Sequence, residues 1–129
     1  MYKFFNFLKF KIFFIFLFFL YGAFIVYFSL FTYGPKSDLV ILGNITVFDK
    51  FIHIFVYMLW PFFILFFFRE KIALIIIFCL IFSLIVEYLQ IYTDRNFQIL
   101  DILSNSIGLI ISFFIFKFFS KYKILKFDF

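Results

Sequence analysis

FDKFIHIFVYMLWPFFILFFFREKIALIIIFCLIFSLIVEYLQIY, residues 48–92, holds two nearly unbroken apolar runs around one charged triplet, Arg69-Glu70-Lys71. A helix needs about 20 mainly apolar residues to cross the hydrocarbon core of a bilayer. Each run has that length, so the stretch predicts two membrane-crossing helices joined by a tight turn. Pro61 removes the donor that would satisfy the carbonyl of Tyr57, which predicts a kink in the first of them. The start of the stretch is less usual. Asp49, Lys50 and His53 stand at the mouth of a helix that is otherwise hydrocarbon.

The rest of the chain has the same character. Of 129 residues 67% are hydrophobic, 30 are Phe and 15% are charged, with a mean hydropathy of +1.20. A soluble domain of this size leaves a large share of its surface in water and could not hide so many apolar side chains. Two further runs bring the expected spans to four, at 11–33, 46–68, 72–92 and 99–119. Lys3, Lys9 and Lys11 precede the first. Its apolar stretch exceeds a signal-peptide core and no A-x-A site follows, so it reads as a retained helix. The longest connection is 34–46, rich in Gly, Pro, Ser, Asp and Asn, and the third loop falls at 93–98. The expected fold is an all-α integral membrane protein, one domain over 1–129, with four transmembrane helices in a small antiparallel bundle.

Charge sets the expected orientation. Lys3, Lys9, Lys11, Arg69, Lys71, Lys117, Lys121, Lys123 and Lys126 fall on one side, while the other has only Lys36, Lys50 and Arg95. By the positive-inside rule both termini are expected to be cytoplasmic. The first and third loops then face outward, and they hold or adjoin Asp38, Asp49, Glu87, Asp94 and Asp101. The formal net charge of +5 does not point to nucleic acid, because the lysines collect at the ends of apolar runs. Anionic lipid headgroups are their natural partner. The single cysteine, Cys79, lies mid-run, where it serves as a small buried hydrophobe and can build neither a disulfide framework nor a cysteine metal cluster.

Helical spacing groups the polar residues into stripes. Asp49, His53, Tyr57 and Trp60 share a face of the second span, Ser83, Glu87 and Gln90 one of the third, and Asp101, Asn105, Gly108 and Ser112 one of the fourth. Each stripe starts from the outward end of its helix, so antiparallel packing would bring them to one depth. Polar groups at that depth are costly against lipid and should face one another and water. Ser104, Gly108 and Ser112 recur every fourth residue, a spacing that lets a neighbouring backbone approach closely.

The pieces D-K-x-x-H-x-x-x-Y-x-L at 49–59, E-x-x-Q at 87–90, Arg95, and D-x-x-x-N-x-x-G at 101–108 together resemble the VanZ-like family of small membrane proteins. The resemblance covers about residues 46–115, with Ser112 where the family often has a second glycine and NFQIL departing from its usual residues before Asp101. It implies a short single-domain member of a family whose namesake is associated with resistance to teicoplanin-type glycopeptides. Matching residues are Asp49, Lys50, His53, Tyr57, Glu87, Gln90, Arg95, Asp101, Asn105 and Gly108.

The function expected from this reading is action on a cell-envelope component at the outer face of the membrane, a peptidoglycan precursor or another anionic group, with Arg95 and Lys50 contacting phosphate or carboxylate. Asp49, Lys50, His53, Tyr57, Glu87, Gln90, Arg95, Asp101 and Asn105 are the candidate ligand-binding residues. A membrane-embedded enzyme is the first alternative, with His53, Glu87 and Asp101 as candidates for acid–base chemistry on a lipid-linked phosphate or acyl group. The chain has no G-x-S-x-G elbow and no recognisable metal motif, and no metal or cofactor is expected. A small transporter with a Glu87–His53 proton relay is the second alternative. The plainest reading is helix-to-helix glue, worth about 0.6 kcal/mol for an average interhelical hydrogen bond, with Asp101 as the N-cap of the fourth span.

Overall fold

The computed structural model describes residues 2–31, 44–93 and 98–121, and the surroundings of the side chains in 7–31, 48–93 and 98–120. Among the described residues all regular structure is helical: α1 Tyr2–Phe31, α2 Asn44–Leu59, the short α3 Phe62–Leu65, α4 Ile72–Leu89 and α5 Ile99–Lys121. Tight 3₁₀ turns occupy Arg69–Lys71 and Gln90–Tyr92. Four helical stretches are long and apolar enough to cross a membrane, Phe7–Phe31, Phe48–Leu65, Arg69–Tyr92 and Ile99–Ser120. They overlap the four expected spans.

The hydrogen-bond ladder of the second span is interrupted at Pro61. Trp60 donates the last bond of α2, to Val56 at 3.2 Å, and the missing N–H of Pro61 ends the ladder. The chain restarts as α3, in which Leu65 donates to the Pro61 carbonyl at 3.0 Å. Trp60 and Pro61, at the break, are both buried.

Side-chain contacts give the helix directions. His53 of α2 meets Asn105 of α5, and further along both helices Met58 lies against Gly108, so these two run the same way. Asn105 also meets Ser83 in the second half of α4, which therefore runs against them. Gln90, just past α4, reaches Ser29 near the end of α1, so α1 runs with α4. Successive spans thus alternate in direction. Asp49, Lys50, Glu87 and Asp101 gather at one end of the bundle, while Lys9, Lys11, Arg69, Lys71 and Lys117 lie toward the other.

Two devices hold the helices together. Trp60 wedges between α1 and α4, its ring stacked on Phe18 at 5.1 Å between centroids and tilted against Phe82 at 4.8 Å. Its indole N–H donates to the Phe18 carbonyl at 2.9 Å. Gly22 leaves the space, since a Cβ there would sit 3.0 Å from the indole. Trp60 is therefore packing, not the wall of a binding site. The second device is the seam of α2 and α5, where a Cβ on Gly108 would meet the Ile54 carbonyl oxygen at 2.2 Å. Only glycine allows the two backbones so close.

The outer surface is hydrocarbon. Phe13, Phe16, Phe19, Leu74, Ile77 and Phe114 are among many exposed large apolar side chains. A surface of this kind suits a lipid solvent, because helices have already satisfied their own backbone polar groups. Polar side chains are turned inward instead: Ser83, Glu87, Gln90, Asp101, Ser104, Asn105 and Ser112 are all buried.

Candidate functional site

Asp49 and His53 lie one helical turn apart on α2 and so share a face, with Lys50 beside them. Asp101 is in the first turn of α5 and Asn105 one turn further, facing α2 along the close seam. Placed at the positive end of α5, the Asp101 carboxylate is favoured by the helix dipole. It is not the N-cap expected from the sequence, because α5 begins at Ile99. Its own N–H donates to the Gln98 carbonyl at 3.0 Å.

Lys50 is the hub. Its ammonium donates to one Asp101 oxygen (Oδ1), to Asp49 Oδ2 at 3.3 Å and to Gln98 Oε1 at 2.8 Å. The Asp101 side chain is only 3% exposed, whereas that of Asp49 is 39% exposed and forms the rim. Removing Asp101 from water is costly, and the ammonium offsets that cost by direct pairing.

His53 is held from behind. Asn105 donates from Nδ2 to Ser83 Oγ at 2.9 Å, so its carbonyl oxygen, Oδ1, is what faces His53 Nδ1 at 2.9 Å. A carbonyl oxygen only accepts, so the network assigns the proton of this contact to Nδ1. Tyr57 is buried one turn beyond His53, its ring edge-on to Trp60 at 6.1 Å between centroids. The contacts Ser83–Asn105–His53 form a chain that links α4, α5 and α2 and fixes the imidazole. Its other nitrogen, Nε2, faces Asp49 Oδ1 at 3.9 Å and Asp101 Oδ2 at 3.8 Å. Those separations are too long for hydrogen bonds.

The remaining candidates divide. Glu87 is buried beside the site and accepts the backbone N–H of Gln98 at 3.3 Å, bracing the segment that leads into α5. Gln90 is directed elsewhere: its amide donates to the Ser29 carbonyl of α1 at 3.2 Å, a tie between helices. Arg95 and Asp94 lie outside the described residues. The expectation that Lys50 is available to an anionic ligand meets a different geometry, since two carboxylates and an amide already hold it. With a neutral imidazole, Asp49, Lys50, His53 and Asp101 carry one net negative charge.

Sequence reading did not single out Gln98, whose signal is its place just before the first turn of α5. It also found no metal motif. In the fold, one donor atom each from Asp49, His53 and Asp101 lie within 4.8 Å of one another. The Asp49–His53 spacing of four residues was visible, but the third donor lies 48 residues beyond His53. Compared with models of known protein families, with curated proteins and with solved structures, the chain matches none.

Proposed function

We propose that the chain is a VanZ-like protein of the bacterial cytoplasmic membrane, with both termini inside, that engages a cell-envelope component through the polar cluster at its outer end. The observation that carries this reading is the convergence of Asp49, Lys50, His53, Asp101 and Asn105 on one another across α2 and α5. These are the residues on which the family resemblance rests. A motif whose members touch one another, with its rim at Asp49 open to solvent, is what a binding site requires and more than helix-to-helix glue needs. The excess of basic residues toward the opposite end supports the outward placement.

The cluster is acidic and rich in acceptors, so it favours a ligand that presents hydroxyl, amide or cationic groups. Arg95 remains the residue offered for a phosphate or carboxylate. The implied biological output is reduced susceptibility to teicoplanin-type glycopeptides. Expression in a susceptible bacterium is expected to raise the tolerated teicoplanin concentration, and His53→Ala at matched membrane abundance is expected to abolish the rise. Equal tolerance with His53→Ala would count against the site, and no rise with the unaltered chain would count against the output.

A further inference from the structure

We infer that Asp49, His53 and Asp101 form a site for one first-row divalent cation, zinc by preference. The two carboxylates each divide their oxygens in the same way. Asp49 Oδ2 and Asp101 Oδ1 take the Lys50 ammonium, which leaves Asp49 Oδ1 and Asp101 Oδ2 turned toward His53 Nε2. At 3.9 and 3.8 Å these atoms are too far apart to be hydrogen-bonded, since such a pair would close to about 2.8 Å.

His53 supplies an observation independent of the carboxylates. Its Nδ1 is bonded to Asn105, which lies outside the donor set and is itself oriented by Ser83. That bond places a proton on Nδ1, so in the neutral imidazole the Nε2 lone pair is turned toward two carboxylate oxygens. Three lone pairs facing one gap repel, and a metal ion held between them would relieve that repulsion. Metal-bound histidines are held in this manner, with the second nitrogen donating to an outer partner that sets the tautomer.

Size and donor type narrow the cation. At bonds of about 2.0–2.2 Å, tetrahedral geometry sets two donors of one zinc ion about 3.4 Å apart, so each His53 separation would close by roughly half an ångström on binding. Asp49, exposed at the rim, can swing to close the third edge. An imidazole with two carboxylate oxygens suits zinc or its first-row neighbours, whereas magnesium and calcium prefer oxygen donors alone. A dication would turn the net charge of the cluster from −1 to +1. On the reading above, its remaining coordination positions face outward and can accept an anionic oxygen of the envelope component. The site could then serve an anionic partner that its acidic residues alone would repel.

The single histidine of the chain makes the test direct. Full-length protein in detergent micelles, labelled with ¹⁵N only at histidine, is titrated with zinc chloride and with magnesium chloride. The expected result is one zinc bound per chain, a large shift of the Nε2 resonance, retention of the proton on Nδ1, and no response to magnesium. Asp101→Asn is expected to weaken zinc binding at least tenfold, and Asn105→Leu about ten- to a hundredfold. An Nε2 resonance unmoved by saturating zinc would overturn the inference without recourse to any variant, as would equal affinity in a folded Asp101→Asn protein. No envelope component is present, so zinc binding together with an unchanged teicoplanin phenotype in His53→Ala would sink the functional reading and leave the cation site standing.

Discussion

Gly108→Ala is expected to destabilise the bundle by about 3 kcal/mol, the upper end of overpacking costs. The added Cβ would stand 2.2 Å from the Ile54 carbonyl oxygen and 3.0 Å from the Met58 nitrogen, both backbone atoms of α2. A flexible side chain could move aside; a helix backbone must shift as a whole. Alanine favours the helical state by about 1 kcal/mol over glycine, so propensity opposes the effect and sterics must outweigh it. Unfolding in mixed detergent and dodecyl sulfate micelles measures the difference. Ser112→Ala, one turn further along the same seam, is the control. The Ser112 hydroxyl is buried and has no hydrogen-bond partner, and removing it is expected to stabilise by about 1 kcal/mol. A neutral Gly108→Ala would mean that α2 and α5 do not pack at this distance.

The second large effect concerns Lys50 and Asp101. Losing either partner strands a charge that has left water, at a cost of about 3–5 kcal/mol for a buried pair. Asp101→Leu should fall below that range, because Lys50 keeps Asp49 and Gln98 and is partly exposed. Lys50→Met should reach it, because the carboxylate left behind is 3% exposed. Replacing both with apolar side chains removes the charge and its desolvation cost together, so Lys50→Met with Asp101→Leu is expected to unfold close to the unaltered protein. On the proposed function, the same double variant is expected to lose any teicoplanin tolerance that the unaltered chain confers, which would separate the role of the pair in function from its role in stability. A double variant that loses the sum of the two single losses would show that the two groups are not paired.

The four long apolar helices were legible because their length and composition, which suit a bilayer, are written along the chain itself. The polar stripes were legible for a similar reason: a period of four placed Asp49 with His53, and Asp101 with Asn105, before any packing was known. What each polar group faces depends on the rotation of every helix about its own axis. That rotation is set by long-range features, the close approach at Gly108 and the Trp60 wedge between α1 and α4, which a one-dimensional pattern does not encode. Gln90 shows the consequence. It shares a stripe with Ser83 and Glu87 and yet turns to the Ser29 carbonyl of α1. Lys50 shows another, since a lone cation beside an outer loop looks available until Asp101, 51 residues away, is brought against it. Pro61 was read correctly as a disruption.

The exterior placement of the Asp49, Lys50, His53 and Asp101 cluster is tested most directly by thiol labelling of intact cells. Cys79 is buried, and Cys79→Ala gives a background free of thiols. Single cysteines are then introduced at Gln98, exposed beside the cluster, and at Ser120, exposed at the far end of α5. A membrane-impermeant maleimide added outside is expected to label Gln98→Cys and to spare Ser120→Cys until the membrane is opened. Labelling of Ser120→Cys with protection of Gln98→Cys would contradict the account, placing the cluster on the cytoplasmic side and out of reach of the envelope.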